Sequence, residues 1–338
     1  MKSVKVLLVG DYKENPSEGM EVITKRFSDR VRENGLDVTN ITSKQYLIKF
    51  LVVLFGGYNC IIFTHGPGKG AYLLTALTSV FFGPKIIWVA TRPNLSLKPF
   101  FDKLITRLEK IYCGKQDVRL IELANNCHAS FEQVVIGIDF ERIKSVKGIT
   151  SITKQMLIGE SGDLNAPVLL HVGHLRNNRG LDKLVRIKKQ LKEKVNIVVL
   201  GSPSLSSDSE VINMLEDNQI NIYCNHVSNL ADVYNLTDLY VFPVDPVNGG
   251  AIDLPLSVIE ALACGVHVIS TPFGVLPAYF KNNSQMIFSD NHLVEEAVKF
   301  ILSDSYKVSG EVVNELPYTF NIDSLIDKIS GLILKECK

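Results

Sequence analysis

No sign of charge predominates in this sequence: 36 Lys and Arg stand against 36 Asp and Glu over 338 residues. Without a field of one sign there is no global pull toward nucleic acid or a substrate of opposite charge, and nucleic-acid binding is not expected. Paired cysteines are missing as well. The six thiols (Cys60, Cys113, Cys127, Cys224, Cys264 and Cys337) are scattered, with no Cys-x-x-Cys among them. Cys127-His128 and Cys224-x-His226 come nearest to a metal constellation, at a spacing wrong for zinc. Free thiols in a reducing cytosol are expected, and no metal. Long apolar runs are also lacking. Residues 46–64 are interrupted by Lys49, Gly56-Gly57 and Asn59, leaving pieces well short of the roughly 20 residues a membrane span needs. The apolar start at residues 6–9 is too short for a signal peptide and reads as a first strand. No repeat of solenoid period occurs. The expected product is a soluble, cytoplasmic protein.

What is present is globular in composition, 46% apolar and 21% charged, and long enough for two α/β domains. Strand-like runs alternate with helical ones throughout. The spacing predicts a strand over 4–9, a polar loop ending at Gly19, and a helix over 20–34 with Val22, Ile23, Phe27 and Val31 on one face. A strand at 36–41, a helix over 44–55 and a strand at 60–64 follow. Next comes His65-Gly66-Pro-Gly68-Lys-Gly-Ala71, a glycine-rich turn between strand and helix whose amides could hold an anion. It fits Gly-x-Gly-x-x-Ala, but the next strand, 85–90, ends in Thr91-Arg92 with no ribose-binding acid about 20 residues on, which counts against a nicotinamide site. Residues 97–112 have helical amphipathic spacing (Phe101, Leu104, Ile105, Leu108, Ile111). They read as a surface helix or, alternatively, as a basic interfacial helix on anionic lipid. A polar stretch over 144–166 serves as linker. The expected domains are 1–150 and 151–320, with a last helix in 321–338 crossing back to the first domain.

The second half opens with a strand at 167–172 and the basic loop Gly173-His174-Leu-Arg176-Asn-Asn-Arg179-Gly180-Leu-Asp182, ahead of a helix. Strands at 196–201 and 221–227 and a helix over 230–238 lead to a buried strand at 239–242. A long polar loop with Gly249-Gly250 follows, then a helix opening near Leu254-Pro255 and stopped by Gly265, and a strand at 266–270. Glu260 is the one acid in the apolar helical run 255–264.

Glu260-Ala-Leu-Ala-Cys-Gly-Val-His-Val-Ile-Ser-Thr-Pro-Phe-Gly274 resembles the donor-binding signature of retaining, nucleotide-sugar-dependent glycosyltransferases of glycosyltransferase family 4. The family's form is Glu, seven residues, then Glu-Ala-Met-Ala-Cys/Ser-Gly-x-Pro-Val-Ile/Val. The resemblance is strong over 167–275 and weak before it. It implies an α/β fold of the GT-B type, two Rossmann-like α/β/α domains facing across a cleft, the second holding the donor. It implies that Glu260 accepts hydrogen bonds from the ribose, with Leu256 and Ser257 beside it and Phe273-Gly274 near the phosphates. The loop resembles the family's Gly-Arg-Leu…Lys-Gly-x-Asp element, so Gly173, His174, Arg176 and Arg179 are expected at the diphosphate, Arg179 stabilising the departing charge without a metal. Gly19, Gly66 and Gly68 are expected in acceptor-facing loops, with His65 at the end of its strand. Two positions depart from the pattern. Ile252 stands where the first Glu belongs, leaving Asp253 as the candidate to face the transferred sugar, and His174 stands where Arg is usual.

The implied activity is transfer of a sugar from a nucleoside-diphosphate sugar to a glycan, lipid or polyprenol-linked acceptor, as in cell-envelope glycan biosynthesis. No cofactor beyond the donor is implied, and a peripheral contact with the inner face of a membrane is a further expectation. A catalytically silent partner subunit and a nucleotide-sugar epimerase of the same fold remain as alternatives.

Overall fold

Short β-branched runs closed by a glycine or a polar pair become parallel strands, and the apolar-striped stretches between them become helices. The computed structural model describes residues 4–14, 16, 19–64, 66, 68–81, 83–91, 95, 99–143, 152–201, 207–225, 227, 229–246, 253–305, 316 and 318–336. The chain divides into two units. The first takes Met1–Asp139, Ile252–Leu254 and Pro317–Lys338, and the second takes Phe140–Ala251 and Pro255–Leu316.

The first unit is a six-stranded parallel sheet of β1 (Lys5–Val9), β2 (Asp37–Ile41), β3 (Cys60–Phe63), β4 (Lys85–Ala90), β5 (Leu108–Cys113) and β6 (Ser130–Gln133), in the order β2-β1-β3-β4-β5-β6. Its central strands are apolar on both faces, as a parallel sheet covered on both sides requires; every residue of β3 is buried. The helices are α1 (Gly19–Glu33), α2 (Ser43–Ile48), α3 (Phe50–Phe55), α4 (Lys69–Val80) and α5 (Val118–Cys127). A capping box starts α2: Gln45 N–H donates to Thr42 Oγ1 at 3.2 Å and Thr42 N–H to Gln45 Oε1 at 2.9 Å.

Two expectations for this unit are corrected. The single helix expected over 44–55 breaks at Lys49 (φ −98°, ψ 21°) into α2 and α3. The helix expected over 97–112 does not form. Pro99–Leu104 is a 3-10 turn and Leu108–Cys113 is β5, hydrogen-bonded between β4 and β6. Ile105, Leu108 and Ile111 are buried as their spacing suggested, but a strand slot in the sheet outweighs a helical period in a segment this short.

The second unit repeats the plan with α6 (Lys154–Ile158), β7 (Val168–Val172), α7 (Asp182–Leu191), β8 (Asn196–Leu200), α8 (Ser209–Glu216), β9 (Asn221–Tyr223), α9 (Leu230–Tyr234), β10 (Leu239–Phe242), α10 (Leu256–Ala263), β11 (His267–Ser270), α11 (Leu276–Phe280), β12 (Met286–Phe288) and α12 (Leu293–Leu302). Its strands are parallel, ordered β12-β11-β10-β7-β8-β9. The short α6 falls inside the stretch read as linker; residues 144–151 lie outside the described residues.

The last helix, α13 (Ile322–Glu336), belongs to the first unit and packs on α1. Ile322, Ile326, Ile329 and Ile333 are buried. Arg26 and Arg30 of α1 each fork onto a carboxylate, Arg26 Nε to Asp323 at 2.7 Å and Arg30 Nε and Nη2 to Asp327 at 2.8 Å.

Candidate functional site

In the second sheet the chain builds outward from β7 to β9 on one side, then from β10 to β12 on the other, so its direction reverses between β7 and β10. Open α/β sheets bind ligands beyond the carboxyl ends of their strands at such a reversal. The connections leaving β7 and β10 there are stitched together. Lys183 Nζ donates to the Pro243 carbonyl at 2.9 Å. Gly180 takes φ +66° so close to that carbonyl that an ideal Cβ would stand 2.3 Å from its oxygen. Only glycine fits there, because the left-handed backbone and the close approach coincide.

The basic loop after β7 sorts its charges. The 3-10 turn Asn177–Arg179 brings Arg179 into a buried position, whereas Arg176, at the start of that turn, is exposed. Gly173 donates its N–H to the Leu200 carbonyl at 3.0 Å; a Cβ there would lie 2.8 Å from His171 Nε2. His171 Nδ1 lies 3.0 Å from the Val241 carbonyl, which can only accept, so the proton sits on Nδ1. The buried Nε2 has no hydrogen-bond partner among the described residues. Burial, aided by the charges of Arg179 and His174, outweighs the Val241 hydrogen bond and draws the imidazole pKa down to about 4. The ring is neutral near pH 7.

Glu260 sits on α10, whose first helical residue is Leu256 with Pro255 as N-cap, one position later than the expected opening, and whose end is Gly265 at φ +80°. Leu256, Val258, Ile259, Ala261 and Leu262 bury the helix, and Glu260 is buried with them. The Tyr234 hydroxyl lies 3.0 Å from Glu260 Oε2 and 3.2 Å from the Ser257 carbonyl. Tyr240 donates to Ser257 Oγ at 2.8 Å. Burial, and then the Glu260 charge, pushes the Tyr234 phenol well above its ordinary value, so it remains a donor. The same two causes push the Cys264 thiol up to about 12, leaving it unreactive at neutral pH.

Phe273 and Gly274 follow β11. The Phe273 ring is buried edge-on to Phe242, 5.5 Å between centroids, and its N–H is spent on the Thr271 carbonyl at 2.7 Å. Gly274 is exposed at φ +54°. Arg179, Gly173 and His174 thus gather on the β7 loop, and Glu260, Ser257 and Leu256 on α10 behind β10.

The first sheet reverses between β1 and β3. Thr24 and Thr64 hydroxyls meet at 3.0 Å beside Gly10, where a Cβ would be 2.1 Å from Thr64 Oγ1. Gly19 opens α1, Gly66 has φ +95°, and Gly68 is the N-cap of α4, so all three glycines follow the strands that flank this reversal. His65, Ile252 and the Gly249-Gly250 pair lie outside the described residues. Asp253, grouped with the first unit, pairs with Lys115 Nζ at 3.1 Å.

His171, Tyr234, Tyr240 and Lys183 escaped the sequence reading. One signal was available. A lone His in the apolar strand Val168–Val172 and two tyrosines in buried elements each need a polar partner.

Residues 166–304 match the family model described as glycosyl transferases group 1. No curated protein sequence matches the chain. Among solved structures, sucrose-phosphate synthase from Thermosynechococcus elongatus is similar with a TM-score of 0.74 at 13% identity, over 98% of each chain. Anabaena HepE, solved in complex with UDP-glucose, gives 0.67 at 15% identity, over 98% of this chain and 99% of that one. WaaG, a glycosyltransferase involved in lipopolysaccharide biosynthesis, gives 0.69 at 13%, over 97% and 99%. Residues 166–304 thus match glycosyl transferases group 1, in a chain that has the fold of the GT-B glycosyltransferases.

Proposed function

We propose that the chain is a retaining glycosyltransferase that moves a sugar from a nucleoside-diphosphate sugar to a glycan, lipid or polyprenol-linked acceptor. One observation carries the reading: a buried carboxylate, Glu260, held by a buried tyrosine behind the strand that flanks the sheet reversal. A buried carboxylate positioned by a neutral donor is suited to accept from vicinal hydroxyls such as those of ribose. Arg179 and the amides at the start of α7 supply positive potential for a diphosphate, and so would stabilise the charge that develops as it leaves. HepE in complex with UDP-glucose supports a sugar nucleotide as the donor class.

In this reading Gly19, Gly66, Gly68 and His65 lie toward the acceptor, and Asp253 faces the transferred sugar in place of the family's first Glu. Ile252 in that Glu position and the Lys115 partner of Asp253 favour the second reading, a catalytically silent subunit. A thermal-shift screen over uridine, guanosine and adenosine diphosphate sugars tests donor binding, and release of the nucleoside diphosphate with candidate acceptors tests turnover. Glu260→Ala should lower donor affinity about tenfold or more without unfolding the chain. Unchanged donor binding in that variant would remove Glu260 from the site; donor binding without turnover on any acceptor would favour the silent subunit.

A further inference from the structure

Among the described residues, twelve of the sixteen exposed large apolar side chains lie between positions 47 and 104 of the first unit, so they form a surface of their own. Leu47, Ile48, Leu51, Val52 and Phe55 repeat at helical spacing along α2 and α3. Leu73, Leu77, Val80 and Phe81 do the same along α4 and its end, and Phe100, Phe101 and Leu104 along the 3-10 turn. Phe55 is 84% exposed, Phe100 82% and Ile48 72%. The segments are neighbours. Tyr46 and Thr78 hydroxyls meet at 2.6 Å between α2 and α4, the Phe50 and Phe81 rings lie 6.0 Å apart, and Tyr72 of α4 donates to Asp102 of the turn at 2.6 Å.

The amphipathic order of α4 is partly inverted. Thr75, Thr78 and Ser79 are buried and hydrogen-bonded inward, while Leu73, Leu77 and Val80 face out. A soluble surface rarely exposes so much contiguous apolar area unless it is covered by something.

The charges on this face have one sign. No Asp or Glu occurs between Asp37 and Asp102, in a chain that is neutral overall. Asp102 itself is buried under Arg119, Tyr72 and Asn126. Lys44, Lys49, Lys69 and Lys103 are all exposed among the apolar side chains. A symmetric contact with a second copy would set these lysines against a like-charged set. An anionic bilayer instead accepts apolar side chains at the acyl boundary and lysine ammonium groups at the headgroups.

We infer that the face formed by α2, α3, α4 and the Pro99–Leu104 turn docks on an anionic lipid bilayer. The chain lies on the membrane surface, with Phe55 and Phe100 entering the interface and Lys44 and Lys49 meeting lipid phosphates. The interfacial helix that the sequence suggested over 97–112 is not the docking element; a surface assembled from four segments takes its place.

The experiment is flotation of the full chain with phosphatidylcholine vesicles, with and without phosphatidylglycerol, at low and high salt. It contains no sugar donor and so stands or falls separately from the proposed transfer. Wild type should float with the anionic vesicles and lose most of that binding in high salt. Phe55→Ser with Phe100→Ser, and separately Lys44→Glu with Lys49→Glu, should each lower partitioning at least about tenfold, with Tm and donor binding unchanged. Equal partitioning of wild type and both variants, or equal binding to neutral and anionic vesicles, overturns the inference. So does a dimer in sedimentation that Phe55→Ser with Phe100→Ser dissolves while no vesicle binding is seen.

Discussion

Tyr234 and Glu260, 26 positions apart and both buried, meet at 3.0 Å between hydroxyl and carboxylate. Tyr234→Phe removes the donor and keeps the ring, so it isolates that hydrogen bond. The expected result is a rise in donor Kd of about tenfold, a higher KM with kcat little changed, and a stability loss of about 1–3 kcal/mol. Calorimetric titration with the donor and urea unfolding measure the two effects. Donor binding equal to wild type would show that Tyr234 only holds the fold.

Arg179 is buried and Arg176 exposed, although they stand only three positions apart. Arg179→Ala should weaken donor binding or turnover by roughly 100-fold, and Arg176→Ala by no more than about threefold, since an exposed cation in water contributes little. Steady-state kinetics on the two variants decides, and the reverse order would move the diphosphate contact to Arg176.

Two glycines should respond to alanine in opposite directions. Gly180→Ala meets the Pro243 carbonyl and a left-handed backbone, and should cost at least about 2 kcal/mol. Gly331, within α13, has nothing within 4 Å of an added Cβ, so Gly331→Ala should stabilise by about 0.5–1 kcal/mol. Urea midpoints at fixed pH compare them.

His171 predicts a pH dependence of stability. Its pKa falls from an ordinary 6.5 to about 4 in the folded chain, mainly through burial. Between these values the unfolded chain binds the proton and the folded chain does not. Stability is therefore fully present above the unfolded value, declines as pH falls below it, and levels off near the folded one. The loss amounts to about 3 kcal/mol from this group. In His171→Gln that slope should vanish from unfolding free energies measured across the window; an unchanged slope would place the titration elsewhere.

The strands of the second sheet were legible because buried parallel strands are continuous apolar runs, and β7, β8, β10 and β11 each end at a glycine, a proline or a polar residue. Glu260 stood out as the one acid in an apolar helix. Residues 97–112 misled because Phe101, Ile105, Leu108 and Ile111 satisfy a helical period and also fill a strand and its lead-in turn. What chose between them was the vacant place between β4 and β6.

The sequence alone settled the alternation of strands and helices, the basic loop from Gly173 to Arg179 and the placement of Glu260 on a buried helix, since each follows from local spacing and glycine punctuation. Only the tertiary structure decided that Tyr234 grips Glu260, that His171 stays neutral beneath Gly173, and that Arg179 rather than Arg176 is buried. It also decided that α4 turns Leu73 and Leu77 outward and Thr75 and Thr78 inward. Burial and hydrogen-bond partners are properties of elements far apart in the chain, and no local pattern carries them.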